Sequence, residues 1–159
     1  QNTSLFMFLL VSDECKSFTI LNGKADVFQM KEYGLTISVK SDCLPQNIKQ
    51  CKLTITAHLT TDIPLPAESL LVSGVYHIEK MPPIYQFNQP VEIFMEHCAK
   101  KTDKLCFVIA KEGHQKEFNY IGGGTFESQV GKIFVSSFSY LAIIYESSVS
   151  LLARVTIGY

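Results

Sequence analysis

Tryptophan is absent from this chain, which removes the residue that packs on the inter-sheet disulfide of an immunoglobulin domain. A surplus of positive charge is absent too: 14 Lys and Arg stand against 15 Asp and Glu, for a net charge of −1. Recognition of a phosphate backbone or an anionic membrane needs a basic excess on one face, so no nucleic acid and no membrane surface is expected as partner. The densest basic cluster, Lys100-Lys101 with Lys104, reads as a solvated loop. No apolar run reaches the ~20 residues of a spanning helix. "SLFMFLLV", Ser4 to Val11, is far shorter. It lacks the basic n-region and small-residue cleavage site of a signal peptide, and reads as a buried strand. No Cys-x-x-Cys occurs, and the five cysteines (Cys15, Cys43, Cys51, Cys98 and Cys106) make an odd count.

The 159 residues suit one domain able to bury a core without metal or disulfide. The chain starts at Gln1 instead of Met and is read as a processed product or excised fragment. Asn2-Thr3-Ser4 fits a glycosylation acceptor, a frequent chance match. Cys98 and Cys106 fall in apolar strand patterns, where reduced cysteine acts as a small core hydrophobe. These features suggest a reducing, cytoplasmic setting, with export as the alternative. Cys43–Cys51 is the first pair to expect if a disulfide forms.

The dominant period is two. In "GLTISVK", Leu35, Ile37 and Val39 alternate with polar residues; in "KLTITAHL", Leu53, Ile55, Ala57 and Leu59 do so; in "VEIFMEH", Val91, Ile93 and Met95 share one face. Such alternation marks half-buried antiparallel strands. The denser runs "LCFVIAK" and "YLAIIY" suit strands buried on both faces or swinging between sheets. Asn22-Gly23 in "LNGKA" is the strongest hairpin signal, with the composition of a type I′ turn. Pro64, Pro66, Pro82-Pro83 and Pro90 forbid central-strand pairing where they stand. "FQMKEY" is too short and uncapped for a helix, and there is no internal repeat, low-complexity tract or linker. The expectation is an all-β antiparallel β-sandwich of about nine to eleven short strands with little or no helix. Residues 1–145 would form it, with 146–159 an extra strand or the start of a following domain.

Few constellations carry chemistry. Gly122-Gly123-Gly124 lacks the Lys and Ser/Thr of a phosphate loop and reads as a turn between strands. His58, His77, His97 and His114 show no metal-ligand spacing, so no metal and no cofactor is expected. His97 and Cys98 are strand neighbours whose side chains point to opposite faces, which precludes a Cys–His pair. No carboxylate pair stands out. Phe138-Ser139 in "SSFSYLAIIY" poses a choice. In one reading Phe138 fills the core and Ser139 is a strand hydroxyl. In the other the hydroxyl attacks the preceding carbonyl, which requires a base, donors for the oxyanion and a distorted peptide.

From about Lys24 to Tyr145 the order of landmarks resembles the ZU-five domain family. "YGLTISVKSDCLP" resembles an early strand followed by a proline-containing loop. "LLVSGVYHIEKMPPIYQFNQPVEIFMEHCA" resembles the family's hydrophobic strand, Pro-rich loop, aromatic (Phe87), Pro90-Val91 and strand ending in His97-Cys98-Ala99. "GKIFVSSFSYLAII" resembles the closing strand with its Phe-Ser pair. Two departures stand out: Gln46-Asn47 after Pro45 where glycine and alanine are usual, and Ser137 where several members have His. The resemblance implies an all-β sandwich with a noncatalytic protein-binding role. Such domains occur in zonula occludens scaffolds, uncoordinated-type netrin receptors, ankyrins, and death-domain or CARD proteins. The implied partners are proteins: neighbouring domains of the parent chain, or a cytoskeletal protein. A self-cleaving subset implies Ser139 as nucleophile, Phe138 as the scissile carbonyl, His114 as base and Glu127 orienting it. The "MPPIYQF" loop supplies the candidate binding residues Tyr85 and Phe87, because aromatics in Pro-rich loops often anchor interfaces.

Overall fold

A computed structural model describes residues 14–113 and 115–146. "SLFMFLLV", His114 and the tail beyond Glu146 lie outside the described residues. Twelve strands follow in order: β1 Glu14–Leu21, β2 Asp26–Met30, β3 Leu35–Val39, β4 Gln50–His58, β5 Ser69–Leu71 and β6 Val75–Met81. Then come β7 Val91–Glu96, β8 Leu105–Ala110, β9 Asn119–Ile121, β10 Thr125–Phe126, β11 Val130–Val135 and β12 Tyr140–Glu146. The number exceeds the expected about nine to eleven because β5, β9 and β10 are two or three residues long, too short for a visible period.

All described pairings are antiparallel, and two sheets result. One runs β1-β4-β6-β12-β8-β9, with β5 also on β12; the other runs β10-β11-β7-β3-β2. Both sheets' apolar faces turn inward, and their side chains form the main core. Leu53, Ile55, Tyr76, Ile78, Leu141 and Ile143 come from the first sheet, and Leu35, Ile37, Ile93, Met95 and Ile133 from the second. Each such aliphatic side chain contributes about 1.5–3 kcal/mol by leaving water.

The two dense runs become β8 and β12, neighbours in the first sheet. Their outward side chains, Cys106, Val108, Ala142 and Ile144, join a second buried cluster with Val75 and Phe118. Ile63 and Leu65 from the loop after β4 pack on it. That cover explains why these two strands carry no alternation.

Asn22-Gly23 turns the chain, but not as a hairpin. Lys24 N–H donates to the Leu21 carbonyl at 3.2 Å, and Gly23 takes φ +88°. Asn22 keeps a negative φ, which excludes type I′. Its side-chain amide instead donates to the carbonyls of Ile48 (2.8 Å) and Pro45 (3.2 Å). β1 then pairs with β4, and β2 with β3, so the turn is a corner between sheets. "FQMKEY" contributes one 3-10 turn, Lys31–Tyr33, closed by Gly34 at φ +68°. A Cβ at Gly34 would lie 2.7 Å from the Glu96 side chain, so glycine is needed there twice over.

Candidate functional site

The β6–β7 loop, residues 82–90, carries the residues expected to bind. Pro82, Pro83 and Pro90 keep it out of the sheets. Its backbone is fastened at two points: Phe87 N–H donates to the Ser136 carbonyl (2.8 Å) and Asn88 N–H to the Cys43 carbonyl (2.7 Å). Ile84 and Phe87 turn inward, and Phe87 is 3% exposed. Tyr85 turns outward and is 97% exposed. The two aromatics are therefore divided: Phe87 anchors the loop to the core, and only Tyr85 is available to another molecule.

The loop leans against the segment containing Phe138 and Ser139. Phe138 is 4% exposed, as its core reading requires. Ser139 is half-buried, with its N–H donating to the Ala110 carbonyl (3.2 Å) and its carbonyl accepting from Ile78 N–H (2.8 Å). Neither Phe138 nor Ser139 has a cis bond or a positive φ. Among the described residues no hydrogen-bond partner is found for the Ser139 hydroxyl. His114 lies outside the described residues. Glu127 sits in the β10–β11 turn, where its carbonyl accepts from the His97 ring at 3.0 Å.

One group that sequence reasoning missed touches the bond in question. Lys80 lies on β6 in phase with Tyr76 and Ile78, the inward residues. Its Nζ donates to the Phe138 carbonyl oxygen at 2.6 Å. The ammonium also lies 4.9 Å from the Phe138 ring centre and 5.9 Å from that of Phe87, within cation–π range. Burial pulls its pKa below the ordinary lysine range, with Cys51 and Glu112 opposing that shift. Period two carried the signal: a lysine where the alternation demands an apolar residue.

A cleft of about 530 Å³ opens beside it, lined among others by His77, Lys80, Ile84, Glu112, Lys116 and Ser139. Its outer wall is a charged network. The His77 ring donates from Nε2 to Glu112 (2.7 Å) and stacks on Tyr140 at 4.2 Å. Lys116 pairs with Glu112 (3.0 Å) and donates to the Tyr140 hydroxyl (3.0 Å). Lys116, with help from His77, holds the Glu112 carboxyl below the usual range. The Tyr140 hydroxyl and Glu112 in turn raise the Lys116 ammonium. These contacts tie the β8–β9 loop to the outer face of β6 and β12.

A comparison with known families identifies the region that carries the Pro-rich loop and Lys80. The sequence pattern of the ZU5 domain matches residues 18–112. The chain belongs to the ZU5 domain family. The match runs from β1 into the β8–β9 loop, so it takes in the Pro-rich loop and Lys80 and stops before Phe138-Ser139. No curated protein matches the chain. ZU5 domains are protein-interaction modules of scaffold proteins.

The remaining candidates are structural. His97 is buried with both ring nitrogens satisfied: its Nε2 donates to the Glu127 carbonyl and its Nδ1 accepts from Ala99 N–H (3.2 Å). Cys98 beside it is exposed, not core as its apolar surroundings suggest, because β7 ends at Glu96. Cys43 and Cys51 are buried and unpaired, so the disulfide considered first for this ZU5 chain is not formed. Among the described residues no three His, Cys, Asp or Glu side chains converge to hold a metal. No described helix is long and apolar enough to cross a membrane.

Proposed function

We propose that this ZU5 domain is a noncatalytic protein-binding module of a larger signalling or cytoskeletal scaffold in the cytoplasm. The observation that carries the reading is Tyr85, 97% exposed on a loop anchored by the buried Ile84 before it and the buried Phe87 two positions after it. A fixed loop presents an aromatic with little ordering cost on binding, which is how interface anchors gain most of their energy. The partner is a protein, either a neighbouring domain of the parent chain or a cytoskeletal component. The experiment is quantitative co-precipitation with the parent protein, comparing wild type and Tyr85→Ala. Loss of a defined partner with unchanged thermal stability is the expected result; an unchanged partner set removes Tyr85 from the interface.

A second reading is favoured by the lysine on the Phe138 carbonyl: the domain cuts itself once at Phe138-Ser139. A single-turnover cut is compatible with a binding role. β12, which starts just after the bond, is paired with β5, β6 and β8, and the fragments would stay together through those ladders. A denaturing gel decides between one band and two, with Ser139→Ala as the control that must stay intact.

A further inference from the structure

We propose that Lys80 is the oxyanion-stabilising residue of a cleavage at Phe138-Ser139, a role that rests on the second reading above. The argument is geometric. The ammonium lies 2.6 Å from the one atom on which negative charge develops when a nucleophile adds to the Phe138 carbonyl. Ser139 lines the same cleft. The scissile peptide is held at its N–H side as well, because Ser139 N–H donates to the Ala110 carbonyl and the Ser139 carbonyl accepts from Ile78 N–H. The peptide is thus fixed between β6 and β8 with a cation aimed at its oxygen. The Phe138 and Phe87 rings flank that cation at 4.9 and 5.9 Å from their centres and hold it beside the oxygen.

A purely structural lysine is a poor choice for this inward position of β6. An ammonium loses hydration there, and an apolar residue would pack without that cost. The carbonyl it holds belongs to the peptide that precedes a serine, and that coincidence is what the proposal explains.

The step balances as follows. Ser139 Oγ forms a bond to the Phe138 carbonyl carbon while the carbonyl oxygen takes the electron pair beside Lys80. The carbon–nitrogen bond to Ser139 then breaks, and the hydroxyl proton ends on the released amine. The product is an ester between Phe138 and the Ser139 oxygen. Water hydrolyses it to a Phe138 carboxylate and an N-terminal serine. Lys80 stays protonated throughout and serves as donor.

The titratable groups acting on Lys80 are Cys51 on β4 and Glu112 of the β8–β9 loop; Lys116 of that loop, with His77 and Glu79 from the opposite face of β6, lines the rim of the same cleft. Because burial lowers its pKa, a Lys80-dependent rate falls as pH rises through that lowered value. An arginine keeps its charge to beyond pH ~12, so Lys80→Arg must shift this alkaline limb upward.

The test is a cell-free synthesis time course of the full chain, read by denaturing gel and intact mass, with and without hydroxylamine to trap the ester. Wild type is expected to yield fragments ending at Phe138 and starting at Ser139. Lys80→Met is expected to slow their appearance by about 10²–10³, the usual effect of losing one oxyanion donor. Lys80→Arg is expected to retain part of the rate and to lose the alkaline limb. If wild type stays intact even with hydroxylamine, the cleavage reading and the role of Lys80 both fall. If wild type cuts and folded Lys80→Met cuts equally fast, only Lys80 is overturned. Should Lys80→Met fail to fold, the arginine variant decides: an alkaline limb identical to wild type overturns the proposal.

Discussion

Removing one hydroxyl, Ser73→Ala, tests how the first sheet is completed. β12 is hydrogen-bonded along one side to β8, but on the other side it meets β6 only at Tyr140 and Leu141 and β5 only from Ile144 onward. Ile143 faces the gap. Its carbonyl accepts from Val72 N–H (3.0 Å), and its N–H donates to the Ser73 hydroxyl (2.8 Å). Ser73 Oγ in turn donates to the Gly74 carbonyl (2.8 Å). Both Ser73 and Ile143 are fully buried, so no water replaces the lost oxygen. Alanine keeps the Cβ and leaves almost no cavity. What remains is an unsatisfied buried N–H, worth about 1–3 kcal/mol. At about 2–4 °C per kcal/mol for a domain of this size, Tm falls by roughly 2–12 °C. A urea titration checks the cause: the midpoint should drop with an unchanged m-value. Ser17→Ala, which removes an exposed 3.3 Å contact to Thr54, is the control and should cost less than about 0.5 kcal/mol. A Ser73→Ala loss as small as the control's would refute the claim that a side chain stands in for the missing ladder bond.

Other outcomes follow from burial. Phe87→Ala should cost about 3–5 kcal/mol and Tyr85→Ala less than about 0.5 kcal/mol, measured by denaturant unfolding; similar losses would mean that the loop is not oriented as described. Thiol titration should count five free cysteines in denaturant, with Cys15 and Cys98 reacting fast in the native protein and Cys43, Cys51 and Cys106 slowly. Burial pushes the Cys43 and Cys51 thiols up, which further slows them; a count below five would establish a disulfide. Tyr76 is buried with its hydroxyl donating to the Tyr33 carbonyl, and burial raises its phenol well above the ordinary range. The unfolded phenol ionises near pH ~10 while the folded one resists, so this contribution to stability is present below pH ~10 and lost above it. Tyr76→Phe should flatten that alkaline decline, and equal slopes in the two proteins would contradict it.

Much of the fold could be read without coordinates. Alternation in β3, β4 and β7 assigned inward faces correctly, because a strand's period of two is a local property of the backbone. The density of β8 and β12 left burial on both faces or a crossing between sheets open, and packing on both sides of the sheet decided for burial. Asn22-Gly23 marked a turn but not its type, since the type depends on where Asn22 finds partners 20-odd residues away. Phe87 and Tyr85 looked alike in a Pro-rich loop; only the tertiary burial of Phe87, whose N–H donates to the Ser136 carbonyl, separates anchor from exposed ring. Lys80 was visible as a lysine in phase with core residues, yet its partner, the Phe138 carbonyl, lies 58 positions along the chain.

Composition and periodicity determined by themselves that this chain would be an antiparallel sandwich with a summed charge close to zero. These depend on local backbone geometry and on summed charge, which need no knowledge of neighbours. Which strands became neighbours, which aromatic reached solvent and which cation met the Phe138 carbonyl were decided only when the two sheets closed. Those contacts join residues far apart in sequence, and their energies exist only once packing has excluded water between them.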